Sequence, residues 1–208
     1  PRPAHATRAA GVLDVKGVLH IGRVREVLGG SLPAGVDPPG PFAAAVATIL
    51  RQAPAGLEVL FIKRAERDGD PWSGHMAFPG GRREPHDSDL YSTALRETVE
   101  EIGVDLSKHA ELVGVLEDQD ATGRRTREPL PTRPYVFELR GAPDIVLSAE
   151  VTEVVWAPVE PLRSGHKKTS IDIDWKGDKY TLPAWDVDGR VVWGLTYRML
   201  STLFGRFP

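Results

Sequence analysis

The chain has 208 residues, of which 41% are hydrophobic and 26% are charged, and its formal net charge is −3. These values are typical of a globular domain that buries its own core, and they exclude disordered, collagen-like and coiled-coil proteins. Because the chain has no cysteine, disulfide scaffolds, thiolate zinc sites and cysteine nucleophiles are also excluded. The mild acidity argues against a nucleic-acid-binding protein.

Apolar runs in the sequence are short. The two most apolar stretches, Phe42–Leu50 and Leu57–Ile62, have the length of strands rather than of membrane spans. The first residues contain no secretory apolar region. We therefore expect a cytoplasmic protein without a membrane or nucleic-acid partner. We also expect residues 1–41 to form an arm, a helix and a Pro/Gly-rich linker, and residues 42–208 to form the main domain.

Hydrophobic periodicity predicts strands interrupted by a few helices. The first helix is expected from about Val15 to Leu28, where a glycine pair follows. Strands are expected at Phe42–Leu50, Leu57–Arg64, Leu112–Leu116, Tyr135–Leu139, Val151–Val155, Ile171–Ile173 and Lys179–Leu182. This mixture places the chain in the α/β or α+β class.

Two further helices are predicted, one in the middle and one at the end of the chain. The central helix runs from about Asp89 to Ile102, with Asp87 or Ser88 as its cap and Gly103 just past its end. Its apolar side is expected to face a core and consists of Tyr91, Leu95, Val99 and Ile102. The final amphipathic helix spans roughly Trp193–Phe204.

Three glutamates on the central helix are the most unusual local feature. Glu97, Glu100 and Glu101 are spaced i, i+3 and i+4, which places their carboxylates on one helix face. Like charges at these spacings destabilise a helix by about 0.2–0.5 kcal/mol per pair. A hard divalent cation such as Mg²⁺ would relieve that repulsion. Taken alone, the three glutamates are also consistent with a solvated acidic face.

A glycine pair upstream favours the cation. Gly80 and Gly81 follow the short apolar segment His75–Pro79, and glycines let backbone groups approach an ion or a phosphate closely. A glycine loop followed by a glutamate-bearing helix is therefore a candidate cradle for a metal ion and a diphosphate. Arg64 and Arg82 are near this unit in sequence and are the best candidates for contacting the diphosphate.

The same residues resemble a known motif. Gly80-Gly81, followed by the run from Arg96 to Val104, is similar to the Nudix box of the Nudix hydrolases. The resemblance implies an α/β/α sandwich with a mixed sheet, a central loop–helix catalytic unit and a C-terminal helix. It also implies hydrolysis of a nucleoside diphosphate linked to another moiety, with Mg²⁺ or Mn²⁺ as cofactor and a small nucleotide diphosphate as substrate.

The resemblance gives roles to the box residues. Glu97 and Glu101 are expected to be the principal metal ligands and Glu100 a further ligand or a water-mediated contact, with the backbone of Gly81 close to the metal. Arg96 is expected to orient the glutamates through an internal ion pair.

Two positions depart from the box. Thr98 stands where an aliphatic residue is usual, and Ser88 replaces the glutamate that usually precedes the arginine by eight residues. Asp87, Asp89 and Glu84 are the nearby carboxylates, so the partner of the box arginine is open. The metal ligands themselves are intact, and we expect a subfamily variation rather than a loss of activity.

A wider set of residues resembles the coenzyme A pyrophosphatase branch of the family. These residues are Arg64, the segment from Gly74 to Arg82, Asp87, and Trp193-Gly194-Leu195-Thr196. The resemblance implies cleavage of coenzyme A or acyl-coenzyme A to 3′,5′-ADP and (acyl-)phosphopantetheine. The segment Asp70–Gly74 departs from the expected histidine-containing loop. A nucleoside diphosphate sugar or another nucleotide is the alternative substrate, and a catalytically silent Nudix-fold binding or regulatory module is the alternative of another class.

Hydrolysis also requires a group that accepts a proton from the attacking water. Glu150, just before the strand Val151–Val155, is the first choice, since several Nudix enzymes supply a loop glutamate at this place. Glu153 is the second choice, and Glu97 is the third. An ordinary loop glutamate is the alternative interpretation of Glu150.

A charged loop supplies candidates for binding a further phosphate. Arg124, Arg125, Arg127 and Arg133 lie within it, and such a group would suit the 3′-phosphate of coenzyme A. A solvated basic loop is the alternative. A homodimer is a further option that the sequence leaves open.

Overall fold

A mixed eight-stranded sheet forms the centre of the fold. The computed structural model describes residues 18–29, 43–69, 73–121, 129–175 and 177–207. The helices in these ranges are α1 (Ile21–Leu28), α2 (Leu90–Ile102), α3 (Leu106–His109), α4 (Val159–Arg163) and α5 (Gly194–Phe204). The strands are β1 (Ala44–Ala53), β2 (Gly56–Arg64), β3 (Met76–Ala77), β4 (Gly80–Arg82), β5 (Ala110–Val115), β6 (Gln119–Asp120), β7 (Pro131–Leu139), β8 (Val151–Pro158), β9 (Lys168–Trp175), β10 (Asp178–Val187) and β11 (Arg190–Trp193).

The main sheet runs in the order β3-β2-β1-β7-β5. Three further strands pair along this path, β4 with β1, β6 with β7 and β8 with β2. Strands β1 and β7 are parallel, and the other pairs are antiparallel. Strands β9, β10 and β11 form a separate antiparallel sheet.

Two apolar cores lie on opposite faces of the main sheet. Successive side chains of a strand point to opposite faces, so Leu50 joins the core under α1 and α5 while Ile49 joins the core under α2. Helix α5 contributes Met199 and Leu203 to the first core. This is the α/β/α sandwich with a mixed sheet that the sequence analysis expected, and the fold class is confirmed.

The first helix is shorter than predicted. Helix α1 begins at Ile21, because His20 is extended and its carbonyl accepts the first turn's amides. Val24 and Leu28 of this helix are buried in the first core, so α1 covers the sheet. Residues 15–17 and the predicted linker lie outside the described residues, and the division of the chain at residue 41 stays a prediction.

The capping residue of α2 was predicted wrongly. Asp89, rather than Asp87 or Ser88, is the N-cap, and its carboxylate accepts a hydrogen bond of 2.7 Å from the amide of Ser92. The hydroxyl of Ser92 accepts from the amide of Asp89 in return, which completes a capping box. Asp87 is unavailable as a cap because its carboxylate is directed to Arg96.

The face of α2 that meets the core also differs from the prediction. Val99 was expected to be buried but is 44% exposed, whereas Glu101 is only 4% exposed. Thr98 is fully buried, and its hydroxyl donates to the carbonyl of Ala94 at 2.8 Å. The apolar residues at helical spacing therefore predicted the buried face of α2 incorrectly, because that face also carries a glutamate, Glu101.

The glycine pair lies in a strand and not in the predicted loop. Gly80 and Gly81 are part of β4, which pairs with Ala45 and Val46 of β1. Gly80 has a φ of 151°, and a Cβ there would lie 2.6 Å from the Cα of Val46. Only glycine allows β4 to approach β1 this closely.

The other strands and the last helix are confirmed with longer or slightly shifted bounds. The predicted hairpin is the pair β9–β10, which extends further in both directions than the sequence indicated. The final helix begins at Gly194, one residue later than predicted. The short elements β6, β11, α3 and α4 were not predicted.

Gly103 is expected to be more sensitive to substitution than Gly189, another glycine with positive φ. It ends α2 with a φ of 73°, and a Cβ there would lie 3.1 Å from the Cβ of Val146. Gly189 has a φ of 83° but has open space around it. Both Gly→Ala substitutions should cost about 1–2 kcal/mol of unfolding free energy for the left-handed backbone. Gly103→Ala should cost more in urea denaturation because of the added crowding, and equal losses would contradict this prediction.

Candidate active site

The box arginine of the sequence is held by a buried ion pair. The guanidinium of Arg96 donates from Nε to Oδ1 of Asp87 at 3.0 Å and from Nη2 to Oδ2 at 2.9 Å. The side chains of Arg96 and Asp87 are 14% and 2% exposed. Of the carboxylates that the sequence left open as partners, Asp87 is therefore the one that takes the place of the glutamate missing at Ser88.

The environment of Asp87 holds it in its charged form. Burial raises the pKa of this carboxyl, but hydrogen bonds from Arg96, the amide of Glu84 and the hydroxyl of Thr93 outweigh burial and lower the pKa to about 2. The pKa of Arg96 is raised in turn by the same pair. Both groups are thus charged at neutral pH.

Arg96 also contacts both neighbouring elements of the site. From Nη1 it donates to Glu97 at 3.0 Å and to Glu100 at 2.9 Å, and from Nη2 it donates to the carbonyl of Arg82 at 3.0 Å. One side chain therefore connects the loop before α2, the helix itself and the end of β4. These contacts fit the orienting role that the resemblance implies, which stays a prediction.

Glu101 reaches the glycine strand from the buried side of α2. Its Oε2 accepts a hydrogen bond of 2.9 Å from the amide of Gly80. Burial raises the pKa of Glu101 to about 8, although the hydrogen bond from Gly80 opposes the shift; repulsion from Glu97 and Glu150 adds to the rise. The carboxylate is thus held close to other carboxylates with too little positive charge around it.

Glu97 lies against the second glycine. A Cβ on Gly81 would come within 2.6 Å of the carboxyl carbon of Glu97, so only glycine leaves room for this carboxylate beside β4. Burial raises the pKa of Glu97 against the opposing pull of Arg96. Glu97 and Glu101 are therefore two half-desolvated carboxylates that share the edge of β4.

The arrangement suits a hard divalent cation. Mg²⁺ prefers oxygen ligands and is often held by one or two carboxylates, with substrate phosphates and water completing its shell. Glu97 and Glu101 supply such a pair at a place where positive charge is lacking. Within the described residues, no three acidic or histidine side chains converge on one point. Glu97 and Glu101 remain the candidate ligands of such a cation.

Glu100 does not join this pair. Its carboxylate turns outward to Arg96, and its side chain is 56% exposed. The expectation that Glu100 is a further metal ligand is not supported by this placement, because helical spacing alone did not show that the arginine would draw it away.

A cavity of about 410 Å³ opens beside the glycine strand. Its walls come from β1, β3, β4, the β6–β7 region and the start of α5. Arg64 and Arg82, which were predicted to contact a diphosphate, both line it, as do Gly80 and Gly81. Arg64 also attracts the carboxylate of Glu101, which brings the cavity and the carboxylate pair into one site.

The far wall of the cavity combines aromatic and polar side chains. His75 and Trp193 lie edge to face with ring centroids 5.0 Å apart. Thr196 and Arg198 of α5 also face the cavity, and Arg198 donates to the carbonyl of Asp120 at 2.6 Å. The sequence analysis noted the segment that begins at Trp193 but did not place it in the site, because nothing local indicates that α5 packs across β1.

The two candidate bases on or near β8 have different environments. Glu150 lies just before β8, where the amide of Ala65 donates to its carbonyl at 2.8 Å, and close enough to Glu101 to repel it. Glu153 is held by Arg190 through both carboxylate oxygens, and the hydrogen bonds from Arg190 lower its pKa. A carboxylate with both oxygens engaged is a poor proton acceptor, so this placement disfavours Glu153.

Only part of the predicted arginine cluster lies within the described residues. Arg124, Arg125 and Arg127 lie outside the described residues, as does Trp72. Arg133 is buried and donates to Oδ1 of Asp118 at 2.8 Å, so it cannot serve as a phosphate ligand at the surface.

Comparison with known proteins gives a family match. A family model described as the NUDIX domain matches residues 41–176, which is more than half of the chain. The chain belongs to the Nudix family. Within the described residues, no helix is long and apolar enough to cross a membrane.

Several curated relatives align with the Nudix region. An uncharacterized protein of Schizosaccharomyces pombe, C14C4.10c, is 43% identical over 56% of this chain and 36% of its own length. Nudix hydrolase 22, chloroplastic, of Arabidopsis thaliana is 32% identical over 77% of this chain and 53% of its own length. The mitochondrial coenzyme A diphosphatase NUDT8 of Mus musculus is 31% identical over 75% of this chain and 73% of its own length. The chain thus spans between about a third and a half of the first two relatives.

Solved structures of the family also align. A Nudix hydrolase from Alicyclobacillus acidocaldarius superposes with a TM-score of 0.49 and 19% identity, covering 80% of this chain and 92% of its own.

The Asp87–Arg96 pair is expected to contribute strongly to stability. A carboxyl whose pKa falls from about 3.9 unfolded to about 2 folded stabilises the protein by about 2–3 kcal/mol above pH 4. That contribution is lost as the pH falls from about 4 through about 2. Asp87→Asn should therefore lower the unfolding free energy by about this amount in urea at pH 7, and the difference from the natural protein should shrink below pH 4.

A matched control is available on α1. Glu26 forms an exposed ion pair with Arg23, and Glu26→Gln should change the unfolding free energy by less than about 1 kcal/mol. Equal effects of the Asp87 and Glu26 substitutions would contradict the central role of the buried pair.

Proposed function

We propose that this protein is a divalent-metal-dependent pyrophosphohydrolase whose substrate is coenzyme A or acyl-coenzyme A. The observation that carries the proposal is the pair Glu97 and Glu101, held against Gly80 and Gly81, which line a cavity together with Arg64 and Arg82. Water would add to one phosphorus while the bond to the bridging oxygen breaks. The products would be 3′,5′-ADP and (acyl-)phosphopantetheine.

Each residue of the site has a distinct task in this proposal. When bound by Glu97 and Glu101, Mg²⁺ or Mn²⁺ would neutralise the diphosphate oxygens and lower the pKa of the attacking water. Arg64 and Arg82 bind the diphosphate from the cavity side. Arg96 keeps Glu97 directed toward β4, and Glu150 accepts the proton of the water.

Three observations support coenzyme A as the substrate. The mouse relative whose printed name is a coenzyme A diphosphatase aligns over three quarters of this chain. The cavity is large enough for a substantial part of a nucleotide. Ala121 and Leu130, which flank the arginine-containing segment 122–128 in the sequence, both line that cavity, and the amide of Ala121 donates to the carbonyl of Leu130 at 2.9 Å.

The proposal is tested by turnover with Mg²⁺ on coenzyme A, dephospho-coenzyme A, nucleoside diphosphate sugars and ADP-ribose. We expect the highest kcat/KM on coenzyme A and a loss of at least about 100-fold in Glu101→Gln, which should keep its helical content. Preference for a sugar nucleotide would contradict the substrate. An unchanged Glu101→Gln enzyme would contradict the metal site, and no turnover on any substrate would favour a binding module.

The double substitution Arg124→Gln/Arg125→Gln tests recognition of the 3′-phosphate. It should raise KM for coenzyme A about tenfold and leave KM for dephospho-coenzyme A nearly unchanged, because charge-assisted contacts to a phosphate are lost only in the first substrate. Steady-state kinetics on both substrates measure this. Equal effects on the two substrates would reject the role.

Location and assembly remain predictions. Relatives of this chain carry the words mitochondrial and chloroplastic in their names, so a cytoplasmic location is only a proposal. A homodimer is likewise untested.

A further inference from the structure

The candidate base Glu150 is fixed by the segment that follows β2. Arg67, three residues beyond β2, donates from Nη2 to Oε1 of Glu150 at 2.9 Å. Two residues earlier, the amide of Ala65 donates to the carbonyl of Glu150 at 2.8 Å. Backbone and side chain of this glutamate are therefore both fastened to one short segment, which begins at the cavity residue Arg64.

The loop that carries Glu150 is also fastened to the metal-binding helix. Ser148 donates its amide to the carbonyl of Glu101 at 3.0 Å, and its hydroxyl accepts from the amide of Glu150 at 3.2 Å. Val146 donates its amide to the carbonyl of Ile102 at 3.0 Å. The backbone of Glu150 is thus positioned relative to Glu101, and the remaining freedom is in its side chain.

That side chain lies in an unfavourable electrostatic environment. Glu150 is near enough to Glu101 for the two carboxylates to repel one another. The guanidinium of Arg67 is the described cation that holds this carboxylate in its present orientation.

The Arg67–Glu150 pair is too exposed to be explained by stability. The two side chains are 55% and 53% exposed, and pairs of this kind contribute from nothing to about 1 kcal/mol. The described contacts of the Glu150 carboxylate engage Oε1 alone. This differs from Glu153, whose two oxygens are both engaged by Arg190, and it leaves Oε2 able to accept a proton.

We propose that Arg67 is a positioning residue, which directs the carboxylate of Glu150 toward the reacting water without itself touching the substrate. This inference rests on the proposed function, in which Glu150 is the proton acceptor. It assigns a task to an arginine that the sequence analysis did not single out. The available signal in the sequence was a pair of arginines three residues apart, Arg64 at the end of the strand and Arg67 just beyond it.

The first test is the split between kcat and KM on coenzyme A with Mg²⁺. Arg67→Gln should lower kcat about tenfold and leave KM within about twofold, since a misdirected base slows the chemical step but does not weaken binding. Arg67→Lys should recover most of the loss, because only one guanidinium nitrogen contacts Glu150 and an ammonium can replace it. A higher KM with unchanged kcat would overturn the inference, as would no effect at all.

Arg190→Gln is the matched control. It removes an equivalent partially exposed ion pair from Glu153, three residues further along, and should leave kcat unchanged. A loss equal to that of Arg67→Gln would show a general effect of disturbing β8 and would overturn the inference.

The second test asks whether Arg67 acts through Glu150. Glu150→Gln should lower kcat by about 100-fold or more. Adding Arg67→Gln to that variant should cause no further loss, because the group that the arginine positions is already gone. If the two losses of kcat multiply in the double variant, Arg67 acts independently of Glu150.

Metal affinity separates this inference from the proposed function. Mn²⁺ titration followed by electron paramagnetic resonance should give the same Kd for Arg67→Gln and the natural protein, and a weaker Kd for Glu101→Gln. A changed Kd in Arg67→Gln would place Glu150 in the metal shell and overturn the positioning role. An unchanged kcat in Glu150→Gln would reject this inference and the role of Glu150 as the proton acceptor but leave the metal site standing, whereas unchanged activity and Mn²⁺ affinity in Glu101→Gln would reject the proposed metal site.

Discussion

The guanidinium of Arg96 connects the loop before α2, helix α2 and the end of β4, and the geometry of the site depends on it. It is anchored to the buried carboxylate of Asp87 and reaches Glu97 and the end of β4 from the same position. A planar group with five donors can hold several acceptors in fixed directions, which a lysine cannot do. Arg96 therefore fixes the candidate ligand Glu97 relative to the end of β4.

The site concentrates negative charge, and the crowding of carboxylates is energetically unfavourable. Glu101 is almost completely buried, and its pKa is raised to about 8 by desolvation and by neighbouring carboxylates. Gly80 and Gly81 permit this crowding, because their missing side chains leave room for Glu97 and bring an amide to Glu101. Such a cluster is unfavourable by itself and becomes favourable with a divalent cation, which links binding of the metal to the order of the site.

Much of the fold and part of the site followed from the sequence. Apolar runs located β1, β2, β5, β7, β8, β9 and β10 but not β3, β4 and β6, and the glutamate spacing on α2 indicated the carboxylates that lie beside β4. The exposure of Val99 and the outward turn of Glu100 could not be predicted, because both depend on how α2 is rotated against β4. The same applies to Asp87: its role depends on the loop geometry that directs it to Arg96 instead of to the helix amides. The cavity wall from α5 depends on long-range packing across the sheet.

The central claim is that Glu97 and Glu101 form a two-carboxylate site for a divalent cation. The most direct test is a crystal structure with Mn²⁺, in which anomalous scattering locates the ion independently of the protein atoms. The account predicts a peak about 2.0–2.3 Å from oxygens of Glu97 and Glu101, beside Gly81, with Glu100 still paired to Arg96. A peak bound by other carboxylates, or no peak at this pair at saturating Mn²⁺, would contradict it.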